Sequence, residues 1–217
     1  MAESRMSSER LSTPLPWNSL ATRFPDSRAC LASLLALESA EVIAGVKPAN
    51  LVNIANRMRP CGQNPYELWY AHGEALLAGT GLQALVLLDR GDALLLYLYR
   101  SDLLQDVLVR KPVATILERC GYRNPASIPA SLAQLQARVA MASFPHEIGI
   151  FLGYPLKDVL AFMGQIDLPF ACQGPWKIYG KPEQSLELAD CYRQCRYRMA
   201  RHLQRCADPE ACLRLAA

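Results

Sequence analysis

Residues 81–100 read GLQALVLLDR GDALLLYLYR, and this stretch decides the fold. Leu82–Leu88 and Ala93–Tyr99 are two apolar, β-prone runs. Asp89-Arg90-Gly91-Asp92 separates them, with Gly91 free to take a positive φ. Two such runs about a short polar turn predict a β-hairpin. Both runs are almost continuously apolar rather than alternating, so the spacing predicts strands covered on both faces.

The flanks read mainly as helix. On the N-terminal side, Asp26 or Ser27 can cap a helix whose face carries Leu31, Leu34 and Leu35. Gly45 ends that pattern, and Lys47-Pro48 reads as a turn or as the first turn of a helix running through Leu51 and Ile54. Asn64-Pro65 opens a further helix that ends near Gly79–Gly81. Beyond the hairpin, Ser101 or Asp102 starts a short helix, Pro112 to Gly121 another, and Ile128 to Ala142 a third. Leu156–Met163 is a short helix, Phe170–Tyr179 holds a strand clearest at Trp176–Tyr179, and the last helix runs from about Pro182 to Cys206. The class is α+β: a single domain, with about eight helices around a small sheet containing a β-hairpin. Residues 1–26, interrupted by Pro14, Pro16 and Pro25, read as a flexible arm that Trp17 and Phe24 could pin to the body. Residues 27–207 form the domain and 208–217 a tail.

Composition narrows the setting. With 217 residues, 51% hydrophobic and 20% charged, the chain can bury a sizeable core. A net charge of +3 without a Lys/Arg footprint argues against nucleic acid as partner. The longest apolar runs are too short to span a bilayer, and no apolar leader precedes residue 28. A cytoplasmic protein away from the membrane is therefore expected. In that compartment the eight cysteines are expected to be reduced thiols.

One segment is unusual: Phe144-Pro145-His146-Glu147-Ile148-Gly149-Ile150-Phe151-Leu152-Gly153-Tyr154-Pro155-Leu156-Lys157-Asp158-Val159. It is accompanied by Ala44–Leu51, Leu96–Arg100, Cys120-Gly121-Tyr122 and Gly174-Pro175-Trp176-Lys177-Ile178-Tyr179. Together these pieces resemble a family of uncharacterised proteins, mostly from anaerobic bacteria, known only as a domain of unknown function. The resemblance spans roughly residues 30–200. It implies an anaerobic, cytoplasmic setting and carries no activity. Members often have Cys or Ser and then Ala-Pro-Thr before a Gly-Ile-Lys piece. Here that place reads Ser39-Ala40-Glu41-Val42, so Ser39 matches while Glu41 and Val42 depart.

Three constellations could carry chemistry. His146 can act as acid, base or ligand near neutral pH. With Ser39 as nucleophile, and Glu147 or Asp158 to orient the ring, it would form a papain-like Ser/Cys–His arrangement. On a strand, however, Glu147 would point away from His146. Lys47 could bind an anion at the start of the helix expected after it. Gly149 and Gly153 suit close backbone approach by a ligand or another chain segment, and Tyr154, Trp176, Lys177 and Tyr179 could wall and rim a pocket. On the last helix, Cys191, Cys195, His202 and Cys206 fall within a wedge of about 60°. The wedge is about 22 Å long, so one metal could use a close pair, with Cys172 or another distant ligand. The same wedge also reads as an ordinary buried stripe.

The function is unknown at this level, and no cofactor is identified. The best reading is a non-catalytic module for a small molecule, cofactor or protein partner. The alternatives are a Cys/Ser–His hydrolase or transferase using Ser39 and His146, and a metal- or cluster-binding protein using the C-terminal Cys and His residues. Oligomeric state is not legible.

Overall fold

A computed structural model describes residues 16–141 and 144–214. In chain order the elements are α1 (Trp17–Ala21), α2 (Ser27–Glu38), α3 (Ala40–Ile43), β1 (Ala49–Ala55), α4 (Pro65–Leu77), β2 (Gln83–Asp89), β3 (Ala93–Tyr99) and α5 (Ser101–Leu108). They continue with α6 (Lys111–Arg119), α7 (Ile128–Val139), α8 (Ile148–Phe151), α9 (Leu156–Phe162), β4 (Phe170–Gln173), β5 (Lys177–Tyr179), α10 (Glu183–Leu203) and α11 (Pro209–Arg214). This is an α+β fold. The helices among the described residues number eleven rather than about eight, the added ones being the short α1, α3, α8 and α11.

The hairpin is present. β2 pairs antiparallel with β3, with Gln83 opposite Tyr99 and Asp89 opposite Leu94. Gly91 takes φ +81° in the turn, and its N–H donates to Asp89 Oδ1 (2.8 Å). A third strand lies on the other side, giving the order β1-β3-β2. β3 is therefore central, and its unbroken apolar sequence has a cause. Leu94, Leu96 and Leu98 face a core built with α1, α2, α4, the end of α10 and α11. Leu95, Tyr97 and Tyr99 face a second core built with α5 to α9. The Tyr97 hydroxyl, fully buried there, donates to the Phe151 carbonyl (2.8 Å).

Three sequence expectations are corrected. Lys47-Pro48 does not begin a helix: it leads into β1, paired with β3 from Ala49↔Tyr99 to Ala55↔Ala93. The expected strand around 170–179 is a two-stranded hairpin, β4–β5, packed against α9 and α10. The segment around His146 is not a strand but a turn leading into α8. The ends also differ from a bare arm and tail. Trp17, Leu20 and Phe24 are buried in the first core, and Trp17 Nε1 donates to Ser33 Oγ (3.0 Å). At the other end, Cys212 and Leu213 are fully buried. The flexibility expected for residues 1–15, and the tail at 215–217, lie outside the described residues. Among the described residues, no helix is long and apolar enough to cross a membrane.

Candidate functional site

The unusual segment and the β4–β5 hairpin meet at one carboxylate. Asp158 sits in the first turn of α9 with its side chain 1% exposed. It accepts from Lys157 Nζ (2.7 Å), Trp176 Nε1 (2.9 Å), the Tyr179 backbone N–H (3.0 Å) and Ser185 Oγ (2.6 Å). Burial alone would push its carboxyl up. The bonds from Lys157, Ser185, Tyr179 and Trp176 outweigh that and hold it below the ordinary carboxylate value. Four bonds use the acceptor capacity of a carboxylate. Asp158 is thus the knot that ties α9, β5 and α10, and it makes no hydrogen bond to the His146 imidazole.

Around this knot opens a cavity of about 420 Å³. Trp176 stacks on Tyr154 with ring centroids 4.6 Å apart and an interplanar angle of 23°. Phe144, Ile148, Val159 and Phe162 complete an apolar lining, and His146, Gln173 and Lys177 bring polar groups to it. Phe162 remains 43% exposed and Phe144 44%, so the apolar wall is open to solvent. The His146 ring meets Phe162 edge-on (4.9 Å, 77°), and Lys177 Nζ lies 5.4 Å from the Phe162 centroid. Neither His146 nor Lys177 has a side-chain hydrogen bond or ion pair among the described residues. A larger groove of about 690 Å³ runs between β2 and α7. Three of its polar side chains are already engaged: Ser101 with Gln83, Gln105 with the Ala126 carbonyl and Gln136 with the Val86 carbonyl.

The structure brings His146, Gly149, Tyr154, Trp176 and Lys177 together at this cavity. Tyr179 contributes its backbone N–H to Asp158. The glycines admit chain segments. A Cβ on Gly153, at φ +73°, would lie 2.5 Å from Pro48 Cδ, and one on Gly149 would lie 2.9 Å from Val159 Cγ2.

Other candidates are placed elsewhere. Ser39 joins α2 to α3, is fully buried, and its Oγ has no partner among the described residues. It does not line the cavity at His146, and no hydrogen bond joins the two side chains. Glu147 turns inward, accepting from Arg138 Nε (2.5 Å) and the Tyr122 hydroxyl (3.3 Å). Lys47 is 8% exposed and no helix follows it, so it is not an anion site at a helix start. It lies behind the Tyr154 and Tyr192 rings (5.3 and 5.0 Å) and donates to Asn50 Oδ1 (2.5 Å). Asn50 Nδ2 in turn donates to Glu41 Oε2 (2.7 Å). Burial pulls the Lys47 ammonium down to about 8, although the Glu41 carboxylate pushes the other way.

The cysteines also regroup. Cys195 is buried, and its Sγ accepts from Arg198 Nη2 (3.4 Å). His202 does not join Cys191 and Cys195: its imidazole lies with the thiols of Cys206 and Cys212, all three donor atoms within 4.8 Å of one another. Phe144 and Phe162 also line the pocket, beyond the residues expected there from sequence. Phe162 had one signal, an aromatic residue a single helical turn beyond Asp158.

Fold and site thus define a class: an α+β domain with an open, aromatic-walled pocket between a short helix pair and a small hairpin. The chain belongs to the family described as Protein of unknown function (DUF3793), which matches residues 35–213. No curated protein and no solved structure matches the chain.

Proposed function

We propose that this chain is a binding module whose pocket at Trp176, Phe162 and Lys177 holds a small, largely apolar molecule with a negative charge at one end. The carrying observation is the pairing of an open apolar wall with Lys177 and His146 beside Phe162. Exposed aromatic surface is stabilised by an apolar ligand, and a nearby ammonium favours an anionic end. Binding is favoured over nucleophilic catalysis because no Ser, Thr or Cys is among the described lining residues. The one carboxylate at the cavity is also fully occupied by its donors.

The test is titration with 8-anilinonaphthalene-1-sulfonate, an apolar anion whose emission reports a dry site. Saturable one-to-one binding is expected. Lys177→Ala and Phe162→Ala should each weaken it about 5- to 10-fold, or roughly 1 kcal/mol. Octanoate should compete and octylamine should not. Unsaturable binding, or binding indifferent to both substitutions, refutes the proposal.

A further inference from the structure

The geometry points to a second site, on the opposite core from the pocket. We propose that His202, Cys206 and Cys212 form a zinc site that fastens α11 to the end of α10. The three donor atoms lie within 4.8 Å of one another. Tetrahedral zinc, with bonds of about 2.3 Å to sulfur and 2.0–2.1 Å to nitrogen, places its donors roughly 3.6–3.8 Å apart. Side-chain rotation alone closes a gap of at most about 1 Å from that geometry. The donor set also selects the ion, since two thiolates and an imidazole suit zinc and not calcium or magnesium.

The backbone places the ligands independently of any metal. The Cys206 N–H donates to the His202 carbonyl (2.9 Å), carrying the helical turn past α10 so that the two side chains project one turn apart. Asp208 reverses the chain and caps α11, its Oδ1 accepting from the N–H groups of Glu210 (2.9 Å) and Ala211 (3.3 Å). The Arg28–Glu210 ion pair holds α11 against α2, and Cys212 faces inward, fully buried. Cys206 is half-buried and His202 exposed, so the ion has an entry path and a fourth position open to water. A helix of six residues has little stability of its own, and a metal clasp compensates for that.

The experiment uses the full chain, purified without oxygen or chelator from zinc-supplemented cells. Elemental analysis should give one zinc per chain. Cobalt substitution should give thiolate charge-transfer bands and the strong visible bands of a tetrahedral ion. His202→Ala, at an exposed position, and Cys206→Ser should fall to the level of a chelated control while keeping the wild-type circular dichroism. Cys191→Ser should keep its metal. The proposal is overturned by wild-type protein that takes up no zinc on reconstitution, or by variants at His202 and Cys206 that retain it. An anaerobic preparation two hydrogens light, with a bridge mapped to Cys206 and Cys212, would also overturn it.

Discussion

Replacing Lys47 by methionine should remove a rising contribution from the alkaline limb of the stability–pH curve. The ammonium is 8% exposed, and burial holds it at about 8 against an ordinary 10.5. Between those values the unfolded chain holds a proton that the folded chain has released, so stability rises with pH across that window. Below pH 8 the folded protein carries the full cost of a buried charge; above 10.5 the cost vanishes. The difference of about 2.5 between the two values corresponds to roughly 3 kcal/mol, of which about 2–3 kcal/mol should be regained between pH 7 and pH 10. Buried tyrosines and thiols titrate in the same range with the opposite sign, because their raised values remove stability as pH rises. The readout is therefore the difference in slope between wild type and Lys47→Met, from urea unfolding followed by tryptophan fluorescence at several pH values. A vertical offset added to that difference in slope leaves the reasoning intact. Parallel curves from pH 7 to 10 refute it, and would mean that the lysine reaches water or keeps its proton through Asn50 and Glu41.

Gly153→Ala forces a Cβ against Pro48 Cδ at a positive φ and should cost more than about 3 kcal/mol. Gly164→Ala, at φ +71° with open space around its Cβ position, should cost about 1 kcal/mol; denaturant midpoints decide. Asp158→Asn leaves Lys157, Trp176, Ser185 and the Tyr179 N–H with one neutral acceptor, and should cost about 3 kcal/mol by thermal unfolding. Because its folded carboxyl sits below the ordinary value of 3.8, Asp158 stabilises above that pH and loses the contribution as pH falls. The Asn variant should thus show a shallower acid limb. Tyr97→Phe removes the donor to the buried Phe151 carbonyl and should cost about 1–2 kcal/mol, readable as a shifted urea midpoint with unchanged m-value.

Local signals carried most of the fold. Asp26 and Asn64 cap α2 and α4 as their side chains allow, accepting from Ala29 and Tyr66. Gly91 closes the hairpin at the one residue able to do so without strain. At β1 both periods fit the sequence. Leu51 and Ile54 are three apart, as on a helix, yet Val52 and Ile54 face one core while Ala49 and Leu51 face the other. A partner 38 to 50 residues away, β3, decides between those periods. The burial of Lys47 is hidden in the sequence for a related reason. Lysine is seldom buried, and the network that retains it uses Asn50 and Glu41, whose convergence depends on the same strand. Trp17, Leu20 and Phe24 have a helical spacing that the flanking prolines obscured.

At the pocket, single residues were legible and their meeting was not. Trp176, Lys177, Tyr154 and His146 stood out by type, but they lie on two segments joined through Asp158, the Lys157 bond to the Tyr179 carbonyl (2.7 Å) and the Tyr154–Trp176 stack. A two-stranded hairpin has marginal stability alone, so β4–β5 depends on those ties to hold its place. Lys177 follows Trp176 directly, so the knot that anchors the hairpin also sets the ammonium over the Phe162 ring. The pocket's charged group and its aromatic wall are therefore not independent. Loosening Asp158 should free the hairpin and misplace Lys177 together, while a ligand bridging Phe162 and Lys177 should tighten the same hairpin. Protection of the β4–β5 amides from hydrogen exchange should then rise with the apolar anion in wild type. In Lys177→Ala the rise should be smaller at the same concentration of that anion.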